Sequence, residues 1–175
     1  MIWLRAVFFV LAVQFTVIGV IPWLLARVGP RLPMGRWHWS GIVPLAIGAL
    51  ALLWCNWAFV VRGRGTAAPY DPPRALVVQG LYRHVRNPMY VSGLLIVLGI
   101  TLWTGATSLF GYSLLLALGY HLFVRYYEEP HLRRVFGQSY EEYCAGVGRW
   151  WPRVTPWMPR ISTSDRAAQP MQFGS

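Results

Sequence analysis

Lysine is absent from this chain and acidic residues are scarce. All sixteen basic residues are Arg, against six Asp and Glu, which leaves a net charge of +10 over 175 residues. The arginines are spread between hydrophobic runs and form no helical stripe, which argues against a nucleic-acid partner. Arginines beside apolar segments instead meet anionic headgroups and set topology. Cysteine occurs twice, as Cys55 in an apolar stretch and Cys144 in a polar one, without a C-x-x-C or zinc spacing. Neither a disulfide nor a metal site is expected. No small-residue cleavage site follows the first apolar run, so the first helix is expected to stay rather than to be removed as a signal peptide.

The most informative absence lies between Arg86 and Arg125, where thirty-eight residues pass without one Asp, Glu, Lys or Arg. At ~1.5 Å per residue, a bilayer core of ~30 Å needs about 20 apolar residues. The run therefore holds two helices, folding back near Trp103, Thr104 and Gly105. Its two ends meet on one face of the membrane, bringing Arg86, Asn87, Pro88, Met89 and Tyr90 toward Arg125, Glu128 and Glu129.

What is present points the same way. With 55% hydrophobic residues, ten Trp and 13% charged residues, the composition is that of an integral membrane protein. One apolar segment runs over residues 2–26 and a second over 37–61, with Pro44 a candidate kink. The predicted fold is all-α: a polytopic membrane bundle of about four transmembrane helices, with a C-terminal helical hairpin and a cytoplasmic amphipathic C-terminal segment. Three regions follow: 1–61, a two-helix membrane region; 62–159, the loop, hairpin and polar segment forming the core of the activity; and 160–175, a Ser, Gln, Pro and Gly tail expected to be disordered. The segment after Glu128 carries Leu132, Val135, Phe136, Tyr140 and Tyr143 at helical spacings and is expected to lie on the membrane or cap the bundle. Thirteen arginines fall on the side of both termini, against Arg27, Arg31 and Arg36 on the other. The positive-inside rule then puts the site and both termini in the cytoplasm, as in a bacterial inner-membrane protein.

Several residues could carry chemistry. Asn87 before Pro88 is a helix-start signature, and the free amides of that first turn, with Arg83, His84 and Arg86 beside them, suit a carboxylate or phosphate. Arg125 and Glu128, three apart, can face one side of a helix, with Glu129 pointing elsewhere. Gly63 and Gly65 bracket Arg64 and allow close backbone approach. His121 reads as an interhelical hydrogen-bonding residue.

These residues resemble the isoprenylcysteine carboxyl methyltransferase and phospholipid methyltransferase superfamily of membrane enzymes. The matching text is GRGTAAP at 63–69, LVVQGLYRHVRNPMY at 76–90 and YYEEPHLRRVFGQSYEEY at 126–143. The resemblance implies S-adenosylmethionine bound at the cytoplasmic end of the hairpin and a lipid-borne acceptor. It implies a cofactor pocket lined by Leu76, Val77, Tyr82, Arg86, Asn87, Pro88, Met89, Tyr90 and Glu128, with Gly63 and Gly65 as the upstream Gly-x-Gly. Glu129 completes the paired acids, and Arg125, three residues before Glu128 where the carboxyl methyltransferases have four, falls near the substrate. Glu128 and Glu129 would hold cationic or hydroxyl groups of the cofactor, and the helix start at Asn87 its carboxylate. Arg125 tilts the reading to an anionic acceptor, hence to carboxyl O-methylation of an isoprenylcysteine type. Phospholipid N-methylation, which needs a base to take a proton from the amine, is the alternative. A nicotinamide-dependent membrane reductase and a non-catalytic protein of the same fold are the further rivals.

Overall fold

The computed structural model describes residues 12–62, 76 and 78–158. Among these residues the chain is helical, with no strand beyond one isolated bridge between Arg31 and Ala106. Helix α1 covers Ala12–Leu25 and α2 Ile42–Arg62. Helix α3 is Pro88–Thr104 and α4 is Thr107–Phe123. A π-turn, Val124–Glu128, carries α4 directly into α5, Glu129–Phe136. Helix α6, Gln138–Gly146, follows. Gly63, Gly65, Val77 and the tail 160–175 lie outside the described residues.

Two stretches are long and apolar enough to cross a membrane, Gly35–Ala58 and Thr107–Phe136, while Ala12–Leu25 and Pro88–Thr104 are shorter apolar helices. Helix α3 is central. Pro88 at its first position leaves no orphaned amide there. Gly105 closes it at φ +64°, a left-handed cap that a side chain would disfavour and where a Cβ would come within 2.6 Å of the Leu32 carbonyl. Along α2 the two backbones nearly touch: a Cβ on Gly48 would lie 2.7 Å from the Ser92 carbonyl, and one on Gly99 2.6 Å from the Leu45 nitrogen. Small residues at such crossings let apolar helices gain packing without a hydrophobic drive between them. The buried hydroxyls of Ser92 and Thr101 donate to the carbonyls of Pro88 and Val97 in their own helix.

Pro44 does not kink α2. It is the third residue of the helix, within the first turn, where its missing amide costs nothing, and a 3₁₀ segment, Gly35–Gly41, leads into it. At the tip of the hairpin the 28–34 loop crosses over α3 and α4. Leu32 donates its amide to the Gly105 carbonyl, and the Ser108 hydroxyl donates to the Leu25 carbonyl.

At the opposite end the polar segments cap the bundle. Residues 147–158 run alongside 83–87: Arg86 N donates to Gly148 O, Arg153 N to His84 O and Trp157 N to Arg83 O. Tyr143 donates its hydroxyl to the Tyr82 carbonyl at 2.6 Å. Tyr140, Tyr143 and Val147 form a small core there, with Leu76, Val78, Leu132, Phe136 and Trp157 packed around it.

Candidate active site

Thirty residues of helix from Thr107 to Phe136 extend about 45 Å, well beyond a ~30 Å bilayer core. The last turns, with Glu128 and Glu129, are thus beyond the length a span from Thr107 needs. They meet the start of α3 as the hairpin requires. Tyr90, in the first turn of α3, donates its hydroxyl to Glu128 Oε1 at 2.5 Å. Arg86, just before α3, donates Nη1 to Glu129 Oε1 at 3.1 Å.

The two carboxylates have different surroundings. Glu129 is 1% exposed and is held by Arg149, which donates Nε to Oε1 at 2.5 Å and Nη2 to Oε2 at 2.8 Å. Arg133 and Arg125 approach Oε2 at 3.7 and 3.9 Å. Burial pushes its pKa up, but the Arg149 hydrogen bonds and the charges of Arg86, Arg149 and Arg133 outweigh that and hold it below the ordinary carboxylate value. The same hydrogen bond raises the pKa of Arg149. Glu128 forms no ion pair among the described residues. Burial raises its pKa, the Tyr90 hydrogen bond opposes this, and the charge of Glu129 adds to the rise, so the net shift is upward.

This pairing corrects two sequence expectations. Arg125 turns to Glu129 and not to Glu128, and Glu129 points into the polar cluster and not away from it. Residues four apart share a face in an α-helix and in the wider π-turn alike, whereas the smaller rotation per residue of the π-turn carries residues three apart, such as Arg125 and Glu128, off a common face. Asn87 also departs from its expected role. Its side chain makes no cap hydrogen bond, and Nδ2 donates to the Arg149 carbonyl at 3.2 Å. Leu76 packs against the Tyr140 and Tyr143 core. Tyr82 stands with its carbonyl bonded to Tyr143. Pro88 is buried, and Met89 partly so, in the first turn of α3. His121 accepts from Trp150 Nε1 at 3.2 Å, so its partner lies in the segment after α6 and not on another helix as expected.

Arg149 was not legible as a site residue. It lies in an Arg-Trp-Trp-Pro-Arg stretch among other arginines, and the only hint was that a glutamate this close to a membrane helix needs a partner.

A phospholipid methyltransferase family model matches residues 37–139, more than half of the chain and both arms of the site. The chain belongs to this family. It is similar to three fungal proteins named phosphatidylethanolamine N-methyltransferase. That of Pyricularia oryzae is 33% identical over 81 residues, 46% of this chain and 8% of that protein. That of Aspergillus terreus is 34% identical over 70 residues, 40% of this chain and 7% of that protein. That of Neurospora crassa is 32% identical over 101 residues, 53% of this chain and 10% of that protein. The chain thus spans about a tenth or less of the length of these relatives. No solved structure gives a significant match. The family match stops before Arg149, so the tail arginine lies outside the shared region.

The residues at the hairpin mouth fit a molecule with separate anionic and cationic groups, as S-adenosylmethionine has. Arg86 Nε, two residues ahead of the start of α3, is buried with no acceptor among the described residues. A buried donor of that kind costs stability unless something fills its place. Glu128, partly buried and without a cationic partner among the described residues, is the complementary group.

Proposed function

We propose that this chain is an integral membrane methyltransferase acting on the amine of a phospholipid headgroup. The observation that carries this reading is the unequal division of the acids. Glu129 takes the surrounding arginines, leaving Glu128 as a partly buried carboxylate held by a neutral Tyr90 hydroxyl. Such a group attracts a cation and repels an anion. A carboxylate acceptor is therefore disfavoured there, and the names of the relatives support the amine over the O-methylation first expected from Arg125.

S-adenosylmethionine, when bound, supplies an electrophilic methyl group on a sulfonium. Arg86 Nε and the first-turn amides of α3 would receive its carboxylate. Glu128 accepts the proton that an ammonium must lose before its nitrogen lone pair can react, a task for which a raised carboxylate pKa is suited. Tyr90 fixes the Glu128 carboxylate at the mouth of the hairpin, and alignment of this kind can supply ~7 to 11 kcal/mol of a barrier. The polar cap of α5, α6 and residues 147–158 keeps bulk water from the Glu129 cluster. Four spans, with this end in the cytoplasm, follow from the excess of arginine on it.

Incubating vesicles of phosphatidylethanolamine with the protein and methyl-labelled S-adenosylmethionine tests the proposal. Label in the lipid extract that base treatment does not release as volatile methanol is the expected result. Release as methanol would mean a methyl ester and would overturn it.

A further inference from the structure

Positive charge around Glu129 exceeds what one carboxylate can use. Guanidiniums of Arg86, Arg125, Arg133 and Arg149 stand 2.5 to 3.9 Å from it. Arg86 and Arg149 hydrogen-bond its oxygens, and Arg133 donates Nε to Glu141 at 2.8 Å. Arg125 gains least. Its approach at 3.9 Å is beyond hydrogen-bond length, it makes no hydrogen bond among the described residues, and its side chain is 50% exposed. An arginine half out of the protein, at the end of a helix that overreaches the bilayer core, stands at the depth of lipid headgroups.

Its position relative to Glu128 is specific. The two are three residues apart, at the second and last positions of the π-turn Val124–Glu128 on one continuous helix. A loosely held, half-exposed cation and a carboxylate without a cationic partner, both within one turn, would meet a zwitterion whose anion and amine are separated by a few bonds. We infer that Arg125 anchors the phosphodiester of an amine-bearing lipid headgroup while Glu128 faces its nitrogen. The site then reads a zwitterion and discriminates against an amine without a phosphate. A guanidinium fork matches phosphate oxygens in a bidentate way that an ammonium cannot. This inference rests on the N-methyltransferase reading above.

The test compares wild type, Arg125→Gln and Arg125→Lys on three acceptors: phosphatidylethanolamine in vesicles, soluble glycerophosphoethanolamine, and oleylamine, which has no phosphate. Arg125→Gln is expected to raise KM for phosphatidylethanolamine roughly ten- to a hundredfold, the range for a lost charge-assisted hydrogen bond, with kcat changing far less. The preference for phosphatidylethanolamine over oleylamine should fall by the same factor, and Arg125→Lys should recover part of it. Binding of labelled S-adenosylmethionine to each variant reports that it is folded, and Arg125→Lys carries the comparison should Arg125→Gln fail to fold. Equal losses on phosphatidylethanolamine and oleylamine, or an unchanged KM, would overturn the inference and leave the N-methyltransferase reading standing. Wild-type turnover of the soluble phosphodiester in place of the lipid would overturn the lipid source. A wild type that methylates no amine would overturn both readings, a result visible before any variant is compared.

Discussion

Tyr90 donates its hydroxyl to Glu128 at 2.5 Å, tying the first turn of α3 to the π-turn that ends α4 across thirty-eight positions of sequence. The bond holds one carboxylate of an adjacent pair away from the arginines that claim the other.

Glu128→Gln should therefore remove the proton acceptor while keeping the hydrogen bond from Tyr90. A loss of roughly 10²- to 10⁴-fold in kcat/KM is expected, typical of general-base removal. Tyr90→Phe should cost less, because the carboxylate survives and only its placement loosens. Labelled methyl transfer to phosphatidylethanolamine vesicles measures both, and a Glu128→Gln variant with full activity would remove Glu128 from the chemistry.

The pH profile of wild type carries a sign. Since burial raises the Glu128 pKa, its basic form is lost as pH falls through a value above the ordinary 4.5 of a carboxyl. The acid limb of log kcat/KM should lie above that value. In Glu128→Gln this limb should vanish from whatever activity is left; its persistence there would assign it to another group.

Glu129 has the opposite sign. Its folded pKa lies below the unfolded value of about 4.5, so it binds fewer protons folded than unfolded. Its contribution is present above the unfolded pKa and lost as pH falls through the folded one. Thermal unfolding midpoints in detergent should drop across that acidic window in wild type and drop less in Glu129→Gln. Arg149→Ala, which strips the bidentate partner from a buried carboxylate, should destabilise by about 3–5 kcal/mol at neutral pH. A midpoint unchanged in Arg149→Ala would show that Arg86 alone satisfies the site.

The crossing of α2 and α3 makes a steric prediction. Gly48→Val places its branches against the Ser92 carbonyl and Ile96, where even a Cβ stands at 2.7 Å from that oxygen. Overpacking of this kind costs typically ~1–3 kcal/mol. Gly111→Val in α4, where no atom lies within 4 Å of a Cβ, should be far milder. Comparing the two midpoints in detergent checks this, and equal effects would mean that helix propensity and not the crossing is at issue.

Much of the architecture could be read from residue order. Charge-free length placed the hairpin, Pro88 its start and Gly105 its turn, because bilayer thickness and backbone sterics act on local sequence. The shared motifs named the family and drew Tyr90, Arg86 and the acid pair to one place. Side-chain partners were less legible. Arg125 could face Glu128 on a count of three, and the structure pairs it with Glu129, four residues on, across the π-turn.

From its sequence alone this protein is determined to be an apolar helical chain with a polar-ended hairpin and the text of a methyltransferase family, since hydrophobic length and short motifs are local properties. Only the tertiary structure decided which acid is neutralised. Arg149 lies twenty residues from Glu129 in a tail that folds back onto residues 83–87. That return, set by Tyr140, Tyr143 and Val147 packing together, is a long-range event that no local pattern encodes. It leaves Glu128 without a cationic partner and Arg125 only loosely held, the arrangement on which the proposal of a zwitterionic acceptor rests.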